Sequence, residues 1–597
     1  MNKLLERNNI DDKYKWNLND IYKNDELFEK DYKKAEKLME KMSDFAGKLS
    51  DSLKVLSECL NTYEELMLLC DALFSYARMR RDEDNANSQY QMLANKAGEL
   101  YNKASACCSF LEPEIIKIDE KLLDEYLKDK RVIKFKHFID EITRVKQHTL
   151  SKKEEKLLAM AMELEKSSDE IFSMFNDADI TFPEILDEKN NKVELTKGRY
   201  SLFMENKNRR VREDAFNAFY DKYLKYKNTL TATYTSSIRA QRFYSNAREY
   251  DSTIKWSLND DNIDITVYDN LIDSVNKNLL LLHKYVEIRR RILRIDKVHM
   301  YDLYVPLVKS EEKKYSFDNA CTMVKEGLLT LGDNYIKILE KGFNSSWIDI
   351  YENKGKTSGA YSWGTYKSHP YVLMNYTGNL DSVFTLAHEM GHSVHTYLSN
   401  ANQLFIDSNY KLFVAEVAST VNEILLLKYM LKNSQAKEEK IFLLNHFLET
   451  YRGTVFRQTM FAEFEKQMHK RYQIGESLSC EDICSFYYDL NKKYYGDSCH
   501  IDKKIEIEWA RIPHFYRCFY VYKYATGFSA AAAICKLIEE EGQSAVNKYI
   551  EFLKSGGSDY PLNLLKKAGV DLSTSEPVNL GIQMFNKMLN EFDVLTR

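Results

Sequence analysis

The sequence predicts a mainly α fold, large and multi-helical, with a small β-sheet beside one functional helix. Only 7 prolines and 20 glycines occur in 597 residues, well below average usage, which favours uninterrupted helices. Apolar residues recur at helical spacing through most of the chain, as in Phe28-Glu-Lys-Asp-Tyr-Lys-Lys-Ala-Glu-Lys-Leu-Met39. Alternating β-branched and aromatic residues are confined to short stretches.

Taken in order, residues 1–175 read as a helical amino-terminal region. Ile180-Thr-Phe-Pro183 and Val193-Glu-Leu195, separated by the polar Asp187-Glu-Lys-Asn-Asn-Lys192, read as a hairpin that opens a second region, 176–597. Helices resume at Tyr200. A flexible loop at Gly359-Ala360-Tyr361-Ser precedes His369-Pro-Tyr371-Val-Leu-Met-Asn-Tyr376, whose alternation reads as a strand. No low-complexity linker separates the parts, which predicts one continuous body with a deep cleft.

Composition narrows the function classes. Hydrophobic residues at 44% and charged residues at 29% describe an ordinary globular protein, and a formal net charge of −5 gives no reason to expect nucleic acid. Met1-Asn-Lys-Leu-Leu-Glu-Arg lacks an apolar core of secretory length, and no run of about eighteen apolar residues occurs, so no membrane partner is expected and the location is expected to be cytoplasmic. Ten cysteines without regular spacing fit free thiols better than a disulfide framework. Cys480-x-x-x-Cys484 with Cys499-His500 is too irregular for a structural zinc site.

The most informative segment is Asp381-Ser-Val-Phe-Thr-Leu-Ala-His388-Glu389-Met-Gly-His392. It places a His-Glu-x-x-His pattern, the zinc-peptidase signature, inside a helix with Asp381 as N-cap or first-turn acid. His388 and His392 lie one turn apart, so two imidazoles converge on one ion, and Glu389 beside them is placed to deprotonate a water acidified by zinc. Gly391 costs about 1 kcal/mol in a helix interior, which implies a close approach to the backbone there. The alternative is two ordinary histidines on a half-buried helix. A catalytic zinc needs a third donor. The metzincin pattern is excluded, because His395 and Leu398 stand where it requires glycine and histidine. Downstream, Phe413-Val-Ala-Glu416-Val-Ala-Ser-Thr-Val-Asn-Glu423 is an apolar helix-length run carrying two glutamates on a face shared with Ser419 and Thr420.

These two segments together resemble the thimet-oligopeptidase family of zinc metallopeptidases, in its oligoendopeptidase F branch. The resemblance implies a zincin-like metallopeptidase fold with a substrate cleft or helical channel, a 1–175 region of the oligoendopeptidase F amino-terminal type, and a 176–597 catalytic region. It makes Glu416 the third ligand of one Zn2+ per chain and sets Glu423 behind a ligating histidine. It also implies substrate contacts from Gly359, Ala360, Tyr361, His369 and Tyr371, through an edge strand that pairs with an extended peptide. In the tyrosine-rich Ile512-Pro-His514-Phe-Tyr516-Arg-Cys-Phe-Tyr520-Val-Tyr522-Lys-Tyr524, it implies that His514 and Tyr522, then Tyr516, steady the oxyanion.

The expected function is zinc-dependent hydrolysis of internal bonds in short peptides, with Glu389 as general base. Two other readings stay open. A metallocarboxypeptidase or dipeptidyl carboxypeptidase would need a clamp for the terminal carboxylate, with Arg511 or Arg517 as candidates. A non-catalytic helical peptide-binding scaffold would hold no stoichiometric zinc.

Overall fold

Helices account for most of the chain, and many start for a local reason: a Ser, Asn or Asp side chain accepts from a first-turn N–H, as at Asn24, Ser52, Ser151 and Ser479. The computed structural model describes residues 4–308 and 313–597, so Met1 to Lys3 of the amino-terminal stretch lie outside the described residues. Among the described residues there are seven short strands: β1 Glu184–Leu186, β2 Lys192–Glu194, β3 Val298–His299, β4 Ile348–Asp349, β5 Tyr361–Gly364, β6 Pro370–Leu373 and β7 Cys499–His500. β1 and β2 form the expected hairpin, its turn closed by Asp187 Oδ1 accepting from Lys189 N and Asn191 N at 2.8 Å each. All ten cysteines are free, and no helix among the described residues is long and apolar enough to cross a membrane.

Contacts divide the chain into two compact units that interleave in sequence. The first comprises Met1–Thr149, Glu312–Tyr429 and Ile534–Gly569. It contains a three-stranded sheet in the order β4-β6-β5, with β6 parallel to β4 and antiparallel to β5. All four residues of β6 are buried, and Tyr371 and Leu373 join the apolar core of the amino-terminal helices. The strand read from sequence at His369–Tyr376 is therefore central, and β4 and β5 are the edges.

Charged groups pin this sheet to the amino-terminal helix Leu53–Glu83. Arg7 Nη2 donates to Glu83 Oε1 at 2.9 Å and to Asp349 Oδ2 at 2.6 Å, while Asp82 accepts from Thr357 Oγ1 at 3.0 Å and Tyr361 OH at 2.9 Å. Lys356, its side chain 0% exposed, pairs with Asp349 at 2.6 Å and donates to the carbonyls of Tyr351 and Met374. An ammonium so buried depends on its counter-ion. Asp349→Ala is expected to destabilise the protein by about 3–5 kcal/mol, because it strands the charge of Lys356. Urea unfolding measures this, and a change within about 0.5 kcal/mol, typical of a surface position, contradicts it.

The second unit comprises Leu150–Glu311, Met430–Ala533 and Val570–Arg597. It holds the β1–β2 hairpin and the parallel β3–β7 pair, in which His299 lies opposite His500. Its buried polar centre is Glu508, which accepts from Tyr487 OH at 2.6 Å, Arg457 Nη2 at 2.8 Å and Tyr220 OH at 3.0 Å. Two arginines and two phenols hold this carboxylate ionised, well below its usual range despite burial.

Candidate metal centre

The His-Glu-x-x-His pattern lies on the helix Leu380–Asn402, where Asn379 caps the start by accepting from Ser382 N at 2.8 Å and Asp381 occupies the first turn. The helix Leu412–Asn433 carries Glu416 and Glu423. The two helices touch at Gly391: a Cβ there would lie 2.6 Å from Ser419 Cα and 2.8 Å from the carbonyl oxygen of Ala418. Only hydrogen fits in that space. Asn422 locks the approach, donating from Nδ2 to Ala387 O at 3.0 Å while its Oδ1 accepts from Tyr335 OH at 2.7 Å.

Three donor atoms consequently converge. His388 Nε2 and His392 Nε2 are 3.3 Å apart, and Glu416 Oε2 lies 3.3 Å from the first and 3.6 Å from the second. Around a tetrahedral zinc with bonds of about 2.0–2.1 Å, neighbouring ligands stand about 3.3–3.4 Å apart, so the triangle and its two-imidazole, one-carboxylate chemistry fit the ion. Two of the ligands are held from behind: Glu423 Oε1 accepts from His388 Nδ1, and Ser419 Oγ is 3.2 Å from Glu416 Oε2.

The electrostatics favour a cation. Burial opposes charge on both imidazoles; it prevails at His392, lowered to about 4, but at His388 the Glu416 and Glu423 carboxylates outweigh it and raise the value well above the ordinary range. Glu416 is held at about 2 in spite of burial, by both histidines. Glu389 is 6% exposed, and burial pushes it up to about 7.

Glu389 faces the sheet. Val372 N donates to Trp347 O on the β4 side at 2.8 Å, so Ser362, paired opposite Val372, turns its own N–H outward from the β5 edge. On that side of β5, Ser362 Oγ stands 2.9 Å from Ser393 Oγ, one turn along the helix from Glu389. The sequence reading did not single out Ser362. Its only local signal was its place after Gly359, and identifying the edge strand required the sheet order.

The other expected substrate contacts divide. Gly359 has φ +85°, a left-handed conformation suited to glycine, and leads through Ala360 into the edge strand at Tyr361, whose hydroxyl is held by Asp82. His369 and Tyr371 are corrected: both are packing residues. His369 stacks on Trp347 at 5.1 Å and bonds Asp20 Oδ2 at 3.1 Å; Tyr371 is 0% exposed, in edge contact with Trp16 and bonded to Asn17 O. His395 is likewise a core residue, stacked on Tyr410 at 3.7 Å.

In the second unit, His514 lies on the short helix Pro513–Tyr516, with Tyr524 OH 3.3 Å from its Nε2 and the Tyr520 ring stacked at 6.0 Å. Tyr522 is 0% exposed, its ring 5.0 Å from that of Tyr268, so its hydroxyl does not face solvent with His514. Tyr516 stacks on Phe172 at 4.5 Å. Helical period accounts for the difference: Val521, Tyr522 and Ala525 form the buried face, while Tyr520, Lys523 and Tyr524 form the outer one. Arg511, a candidate carboxylate clamp, donates to Glu508 Oε1 at 3.1 Å and lies over the rings of Tyr200 and Phe219.

Residues 202–584 match the model of peptidase family M3, and residues 114–182 match a model described as oligopeptidase F. The chain is similar to the oligopeptidase PepF of Bacillus subtilis, 46% identical over 595 residues, covering 100% of this chain and 89% of that one. Among solved structures, a Chlamydophila abortus protein superposes with a TM-score of 0.92 at 36% identity, covering 99% and 100% of the two chains. The oligoendopeptidase-F of Enterococcus faecium gives 0.75 at 34% identity, covering 96% and 99%.

Proposed function

The chain belongs to peptidase family M3 and is an oligopeptide-hydrolysing metalloendopeptidase, and from that premise we propose how its residues divide the work. His388, His392 and Glu416 hold one zinc ion per chain. The observation that carries the assignment is the triangle of donor atoms at 3.3, 3.3 and 3.6 Å. A zinc ion held there supplies Lewis acidity, lowering the pKa of water toward 7 and polarising a carbonyl. Glu389 takes the proton from the attacking water at its carboxylate and returns it to the departing amine nitrogen. Glu423 keeps His388 Nε2 turned toward Glu416.

In this proposal the substrate backbone extends along β5, an edge strand of its sheet, after the Gly359–Ala360 loop. Within the second unit, Tyr524 rather than Tyr522 stands beside the His514 imidazole. The carboxypeptidase reading loses Arg511, already occupied by Glu508.

Incubation with a mixture of synthetic peptides, one of them amidated at its carboxyl terminus, is expected to give internal cleavage of free and amidated peptides alike. A chelator abolishes the cleavage and added zinc restores it, with products read by mass. An amidated peptide left intact, or cleavage indifferent to the chelator, overturns the assignment.

A further inference from the structure

Among the described residues, one other cluster brings three histidine or carboxylate donors together: His299, His500 and Asp502, with donor atoms all within 4.8 Å of one another. We propose that these residues form a second site for a divalent metal ion of the zinc type, clasping the parallel β3–β7 pair. Its construction follows from strand geometry. His299 and His500 are register partners in a parallel pair, so their side chains leave the same face of adjacent strands. Asp502, two residues beyond His500 in extended chain, returns to that face, whereas Cys499 points the other way and is 4% exposed. That alternation also explains why Cys499-His500 makes no site with Cys480 and Cys484.

The donors are partly oriented. Asp502 Oδ2 accepts from Met300 N at 2.9 Å, which fixes the carboxylate and brings Oδ1 to 2.8 Å from His299 Nδ1. The His299 ring stacks on Tyr301 at 4.9 Å, and its backbone N–H donates to Asp302 at 3.0 Å. The His500 ring centroid lies 4.6 Å from that of His299. His500 is exposed, so an ion can enter from solvent and the third donor can adjust. Two imidazoles and one carboxylate select borderline transition metals such as zinc over calcium or magnesium, which prefer all-oxygen shells. The bound ion would tie together strands some two hundred residues apart in the chain.

Equilibrium dialysis of the chelator-stripped, full-length protein against ZnCl2, with metal counted by mass spectrometry, tests the proposal. Wild type is expected to saturate at two zinc ions per chain. His500→Ala saturates at one over the same range, its second affinity weakened by more than about tenfold, with peptide hydrolysis unchanged. A His388→Ala/His392→Ala variant is expected to keep one ion, which His500→Ala then removes. If that double variant keeps one ion while wild type also holds only one, the peptidase assignment fails and this one stands. Saturation of wild type at a single ion that survives His500→Ala, or a second ion that survives both His500→Ala and Asp502→Asn, overturns the second site.

Discussion

Glu389→Gln is expected to keep its metal and lose nearly all hydrolysis. Glutamine has the size and shape of the buried glutamate, so the contact between the helix Leu380–Asn402 and β5, made by Ser393 Oγ on Ser362 Oγ, survives. The three ligand atoms are untouched. What disappears is a group that exchanges a proton: a carboxylate beside the metal ligands can take a proton and give it back, and an amide does neither. A positioned general base contributes about 10²–10⁴-fold, and here the same carboxylate serves twice, so kcat is expected to fall toward the upper end of that range with KM little changed. Steady-state hydrolysis of a quenched-fluorescence peptide, alongside zinc content by mass spectrometry, measures both halves. Near wild-type turnover at full zinc occupancy would remove Glu389 from the mechanism.

Local order in the chain was legible wherever the signal repeats within a helical turn. His388, Glu389 and His392 are separated by spacings that any α-helix translates into one face, so their convergence followed from the sequence. Glu416 did not: it lies on another helix, and nothing in its local spacing ranks it above Glu423, so resemblance alone separated ligand from supporting acid. The substrate strand shows the same limit. Tyr371 reads as part of a strand and Tyr361 as part of a flexible loop, yet both lie in strands, and only the pairing of β6 with β4 and β5 together makes one central and the other an edge. Tyr522 and Tyr524 differ by two positions at the start of one helix, and burial of Val521 and Ala525 decides which hydroxyl faces out. The interleaving of two units along the chain has no local signature, because it depends on which distant helices pack together.

Gly391 belongs to the legible part, and it makes the sharpest test of how the metal site is assembled. In an open helix, alanine is favoured over glycine by about 1 kcal/mol, so Gly391→Ala would stabilise the protein if nothing lay nearby. The added methyl would instead meet Ser419 Cα at 2.6 Å and the Ala418 carbonyl at 2.8 Å. Both are backbone atoms, so no side chain can swing aside, and the helices must part by roughly 1 Å to restore ordinary contact. Parting stretches the Asn422-to-Ala387 hydrogen bond and carries Glu416 away with Ala418 and Ser419, which follow it in the same turn. We expect Gly391→Ala to lose about 1–3 kcal/mol in urea unfolding. Zinc affinity is expected to fall on the order of tenfold or more, because the carboxylate no longer reaches both imidazoles. Activity at limiting zinc falls in proportion and recovers in part when zinc is raised, which separates a loosened ligand set from a lost base. A stable Gly391→Ala protein with wild-type zinc affinity would mean that the two helices have room to spare, and that the third ligand is not positioned by their contact.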